Sequence, residues 1–122
     1  MKLFIGRELK NLNGDILKNG NGPDATGITL GEVCVTALIT DTQNDANSPS
    51  DKKFHRWNVA RRIKKAIDSE IYTIDVPVED VDLIKKRISV VFQTQTLGPA
   101  YDAIENPESN EDVAVISKSG AI

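Results

Sequence analysis

Thr29 and Glu32 stand three positions apart at the head of an apolar run, and this pair sets where one helix of the chain begins. The Thr29 hydroxyl can accept from the Glu32 backbone N–H while the Glu32 carboxylate reaches back to the Thr29 N–H, with Ile28 and Val33 at the flanking staple positions. Leu30, Val33, Cys34, Ala37 and Leu38 follow at helical spacing, so a helix over about 30–40 buries one face. A second stripe, Val81, Ile84, Ile88, Val91 and Phe92, predicts a helix over 77–93. Pro77 suits its first turn, acids Glu79, Asp80 and Asp82 lie near its start, and Lys85, Lys86 and Arg87 follow, an order that complements the helix dipole. Asp82 and Lys86 are spaced for i,i+4 support.

Two amphipathic helices need a common core, and 122 residues with 39% hydrophobic and 27% charged side chains suffice for one domain without disulfides or metal. Asn13-Gly14, between Leu9–Leu12 and Asp15–Lys18, predicts a β-hairpin within residues 3–18, with both turn residues in the left-handed region as a type I′ turn requires. Residues 71–75 are β-prone and predict a short strand beside it. The polar stretch 41–50 reads as an exposed loop and a candidate for disorder. Ser50 or Asp51 is then placed to cap a helix over 51–67. Gly98-Pro99 reads as a break that opens a last helix over 99–105. The fold class expected is α+β: a predominantly helical single domain, residues 1–106, with an N-terminal hairpin and a short additional strand. Residues 107–122 read as an acidic, flexible tail, with Val113–Ile116 offering material for strand addition.

Charge is distributed unevenly. Seven of the 15 Lys and Arg residues fall between Lys52 and Lys65, in a segment that also holds the only His and the only Trp, whereas the net charge is -3. That balance argues against coating nucleic acid by charge alone, while a local basic face remains able to meet phosphate. At 100° per residue, Phe54, Trp57, Ala60, Ile63 and Ile67 form a broad apolar arc, expected to pack into the core. His55, Asn58, Arg61, Arg62 and Lys65 share the opposite face and make up the candidate partner-binding surface.

Motifs with chemistry are scarce. His55 is the single base of the usual kind, and no Ser or Cys lies in a recognised nucleophile motif, so no catalytic residue is assigned and the chain is not read as an enzyme. The lone Cys34 sits on an apolar stripe and reads as a small buried hydrophobe. Cofactor and metal sites are likewise unassigned. Asp41 and Asp45 lack the EF-hand pattern around them, and the glycines of residues 19–27 match neither the Walker nor the dinucleotide spacing. No run approaches the roughly twenty apolar residues of a membrane span, and the short N-terminal apolar run is followed at once by charge. The expectation is a cytoplasmic protein that associates with a protein partner or with itself, without membrane contact. Nucleic acid is the alternative partner, met through the basic helix 52–65.

Residues 9–16, 28–38, the basic helix, 78–86 and 98–101 follow one another in an order that resembles small uncharacterised proteins encoded by tailed bacteriophages and prophages. The likeness spans most of residues 8–105 and rests on helix starts and stripes. It implies a role in phage assembly or in binding a host factor, in the host cytoplasm, and brings no site residues with it.

Overall fold

A computed structural model describes residues 1–19 and 26–106. The acidic segment 107–122 and most of the glycine-rich loop therefore lie outside the described residues. Four helices and two small antiparallel pairs of strands give a predominantly helical α+β fold, as the sequence pattern implies. Strands β1 (Lys2–Phe4), β2 (Lys18–Asn19) and β3 (Thr26–Gly27) precede helix α1 (Leu30–Ile39). A 3-10 turn at Gln43–Asp45, helix α2 (Ser50–Asp68), strand β4 (Thr73–Asp75), helix α3 (Val78–Val91) and helix α4 (Thr94–Glu105) complete it.

The capping box forms as its spacing dictates. The Thr29 hydroxyl oxygen accepts from the Glu32 N–H at 3.3 Å, and the Thr29 N–H donates to the Glu32 carboxylate at 3.4 Å. From this start α1 runs through the middle of the molecule, packing on α2, α3 and α4. Its Leu30, Val33, Cys34, Ala37 and Leu38 are buried. They meet Val59, Ala60, Ile63 and Ala66 of α2, Val81, Ile84 and Ile88 of α3, and Ala100, Ala103 and Ile104 of α4 in a single core. Truncating one of these large aliphatic side chains to Ala costs about 2–5 kcal/mol in cores of this kind.

The N-terminal segment departs from the expected hairpin over 3–18. Lys2–Phe4 pairs instead with Thr73–Asp75, Leu3 opposite Ile74, so the 71–75 strand closes on the first residues of the chain. The turn at Asn13-Gly14 is present, but only Gly14 takes a positive φ, at 85°, and Asn13 does not. The Asn11 side chain explains the difference. Its Oδ1 accepts from the N–H groups of Asn13 and Asp15 at 2.9 and 3.0 Å, holding a three-residue loop with glycine in the left-handed position rather than a two-residue type I′ turn. Beyond it, the backbones of Leu9, Leu17 and Ile28 bond to one another in a three-way junction above α1.

Two further expectations are corrected at the ends of helices. The last helix begins at Thr94, not at Pro99, and Gly98-Pro99 lies inside it. The break falls at Phe92 and Gln93, both in extended backbone. Proline at the sixth position of the helix forgoes one hydrogen bond, to the Gln95 carbonyl, while Thr96 and Leu97 close the first turn on the Gln93 carbonyl at 3.0 and 2.9 Å. Helix α4 is then clasped to α3, with the Tyr101 hydroxyl donating to the Lys85 carbonyl at 2.6 Å and the Lys85 ammonium 5.1 Å from the Tyr101 ring centre. The expected Asp82–Lys86 pair is not formed; Lys85 instead bonds Glu105.

The stretch 41–50 is ordered by its own capping box. The Thr42 N–H and hydroxyl both donate to Asp45 Oδ2, at 2.7 and 2.9 Å, which turns the Asp45 carboxylate inward. This loop, expected to be exposed, therefore sends a buried acid, 6% exposed, into the fold.

Candidate partner-binding face

Helix α2 begins at Ser50 behind Pro49, whose extended backbone supplies the turn but no side-chain cap, so neither Ser50 nor Asp51 plays the capping role expected of it. Asp51 still complements the positive end of the helix from the first turn, and Lys65 the negative end from the last. The far end closes in a Schellman arrangement, with the Ile71 N–H on the Ala66 carbonyl at 2.8 Å and the Glu70 N–H on the Ile67 carbonyl at 3.0 Å. Glu70 takes the left-handed position usually given to glycine, at φ 58°.

The rotation of α2 about its axis decides what it shows to solvent, and here the sequence reading is corrected. Phe54 and Trp57, assigned to the core, are 63% and 53% exposed. The buried stripe is Arg56, Val59, Ala60, Ile63 and Ala66. Two overlapping apolar arcs compete on this helix, sharing Ala60 and Ile63. The arc with Val59 and Ala66 wins because its small residues let α1 and α2 approach closely, which two large aromatic rings would prevent. The winning orientation also turns Arg56 inward. It is tolerated there because Nη2 donates to Asp41 at 2.6 Å and Asp45 lies 3.9 Å from Nη1.

This rotation divides the five candidate residues. His55 Nε2 lies 2.8 Å from the Asp80 carboxylate, and Arg62 donates to the Asp75 carbonyl at 2.7 Å, so both lash α2 to the β4–α3 corner. Arg61 and Lys65 are exposed, and Asn58 is half-buried. Arg61 donates to the Asn58 side chain at 3.0 Å, and neither Arg61 nor Lys65 has an ion-pair partner among the described residues. Lys64 is partly neutralised by Asp68 at 2.9 Å. Phe54, Trp57, Arg61 and Lys65 follow at steps of three, four and four, which places two aromatic rings and two cations along one outward stripe. The aromatic half was missed because a helical wheel ranks residues by apolarity, and by that measure Phe54 and Trp57 belong inside. The signal that finds them is size: Val59 and Ala66 offer a second, slimmer arc.

Two titratable groups of the core are fixed in one protonation state by their surroundings. Burial pushes the Cys34 thiol up to about 12, leaving it without a thiolate at neutral pH. The Asp45 carboxyl is held well below the usual carboxylate range, chiefly by the Arg87 hydrogen bonds, and so serves as a fixed charge rather than a proton carrier. No group of three His, Cys, Asp or Glu is placed to hold a metal among the described residues. None of their helices is long and apolar enough to cross a membrane. No protein-family model, curated protein or solved structure matches the chain.

Proposed function

We propose that the protein is a non-enzymatic interaction module that binds a protein partner through the outward stripe of α2. The observation that carries this reading is the exposure of Phe54 and Trp57 beside Arg61 and Lys65. Exposed rings are retained at a cost in solubility, and Trp with Arg is the pairing most enriched among residues that dominate binding energy. The complementary partner surface is apolar with acidic residues at its rim. Asn58, Arg61 and Lys65 form the polar margin of the contact, while His55 and Arg62 hold the helix in place. A setting in phage assembly or host-factor binding rests on the resemblance of the chain to phage-encoded proteins.

Exposure of Trp57 also favours a second reading, in which the ring stacks on an unpaired base and Arg61 and Lys65 meet phosphates. Magnitude weighs against it. The two cations of this stripe release about two counterions, a dependence of log K on log salt of only about −2, where dedicated binders neutralise several phosphates.

Peptide display against the immobilised protein, followed by anisotropy measurements on selected sequences and on a fluorescent oligothymidylate, separates the two. The protein reading expects acidic, apolar peptides whose binding is lost in Phe54→Ala/Trp57→Ala and weakened in Arg61→Ala/Lys65→Ala. Oligothymidylate binding that is steeper in salt and lost in the same variants, with no peptide selected, replaces it by the nucleic-acid reading. Light scattering on wild type and the aromatic double variant reads whether the partner is a second copy.

A further inference from the structure

Helix α2 carries seven Lys and Arg residues against the two acids Asp51 and Asp68, and Asp68 is engaged by Lys64. Two copies joined stripe to stripe would set like charges face to face. Whatever covers Phe54 and Trp57 has instead to bring acids for Arg61 and Lys65 and apolar side chains for the rings. The chain holds such a piece of its own, outside the described residues. Glu111-Asp112-Val113-Ala114-Val115-Ile116 is the one place in the sequence where two successive acids run straight into four apolar residues, and Glu108 adds an acid just ahead of them.

Order and length agree with charge. The stripe runs from rings to cations and the segment from acids to apolar residues, so the two match when laid antiparallel. From Phe54 to Lys65 the helix rises about 16 Å, and an extended chain covers about the same distance from Glu111 to Ile116. Glu111 and Asp112 then lie against Lys65 and Arg61, and the apolar residues that follow lie against Trp57 and Phe54. Within one chain the segment falls short. Helix α4 ends at Glu105, which bonds Lys85 of α3. At 100° per residue Lys85 lies roughly opposite Asp80, through which α3 meets His55 of α2. His55 and Arg62 mark the flank of α2 that faces the β4–α3 corner, and the stripe lies beyond it. With helix axes about 8–10 Å apart, the way from the end of α4 across α3 to the far side of α2 is roughly 30 Å, whereas residues 107–113 span about 23 Å at full stretch. A second copy has no such limit.

We propose, building on the reading of the stripe as a protein-binding face, that its occupant is residues 108–116 of a second copy of the chain. Light scattering and tryptophan emission on the full chain across a dilution series, with two complementary charge reversals, test this. Wild type is expected to associate as it is concentrated, with Trp57 emission moving to shorter wavelength in step, and to return to a solvated monomer on dilution. Arg61→Glu/Lys65→Glu alone and Glu111→Lys/Asp112→Lys alone stay monomeric, each having like charges on stripe and segment. Mixed, the two associate, because reversed segment meets reversed stripe and native segment meets native stripe. Trp57→Ala, with every charge in place, weakens association roughly thirtyfold, the scale of a buried interface tryptophan. Wild-type association that neither reversal reduces overturns the stripe as its site, and a mixture that stays monomeric overturns the segment as its occupant. Short-wavelength emission that persists at the highest dilution and lengthens in Glu111→Lys/Asp112→Lys puts the segment on its own stripe and overturns the second copy. Display-selected peptides that bind wild type while the mixture stays monomeric refute this occupant and leave the protein-binding reading standing; absence of both removes that reading as well.

Discussion

Arg87 grips Asp45 with two nitrogens across 42 residues of sequence, Nη1 to Oδ1 at 2.8 Å and Nη2 to Oδ2 at 2.9 Å. The same guanidinium donates to the Ala37 and Thr40 carbonyls, so one side chain of α3 ties down the C-terminal end of α1 and the loop that follows it. Arg87→Met leaves the buried Asp45 with Arg56, at 3.9 Å, as its one cation beside the Thr42 donors, and deprives two carbonyls of their donor. Urea denaturation is expected to show a lower midpoint for Arg87→Met than for Asp41→Ala, whose carboxylate is mostly solvated. Equal midpoints would show that the fork does not hold the loop.

The same pair makes stability depend on acid. The Asp45 carboxyl is held low in the folded state, mainly by Arg87, so its contribution is fully present above the unfolded carboxylate pKa of about 3.9. It is lost as pH falls below that value toward the depressed folded pKa. Thermal midpoints of wild type and Asp45→Asn should therefore differ at pH 6 and converge as the pH falls below about 4. A difference that persists unchanged at low pH would contradict the assignment.

Glu70 occupies a backbone region that costs an ordinary L-residue about 1–2 kcal/mol, at the position of the Schellman cap where glycine is usual. Glu70→Gly removes that strain and gives back part of it through a more flexible unfolded chain. The expected net gain is up to about 1 kcal/mol, read from urea unfolding. A loss of stability would mean that the Glu70 side chain itself supports the cap.

Cys34 is fully buried and its thiol is raised to about 12 by that burial. Folded protein at pH 8 should resist a thiol-reactive disulfide reagent and react fully in denaturant, with a native rate that tracks opening of the fold. Rapid native labelling would place Cys34 outside the core.

Much of this fold is readable from local chemistry. The Thr29 capping box, the α1 and α3 stripes and the Asn13-Gly14 turn are decided within a few residues, where short-range physics is strong. What escapes is decided at long range. Lys2–Phe4 finds Thr73–Asp75 rather than its sequence neighbours, and Asp45 looks like loop filler until Arg87 arrives 42 residues later. Pro99 looks like a stop signal, yet near the start of α4 it forfeits a single hydrogen bond. The candidate face shows the same division. Its cations were legible as a cluster, but whether Phe54 and Trp57 join them depends on which arc of α2 fits against α1, and that is a property of packing density rather than of hydropathy.

The outward orientation of Trp57 is the claim on which the binding face stands, and the chain's single tryptophan reports it directly. Acrylamide quenching of fluorescence, measured on dilute folded protein and again in denaturant, reads its exposure. A quenching constant in the folded state comparable to that of the unfolded chain, with emission at the solvated, long-wavelength end, is the expected result. Weak quenching and short-wavelength emission that shift only on unfolding would put Trp57 in the core and contradict the account.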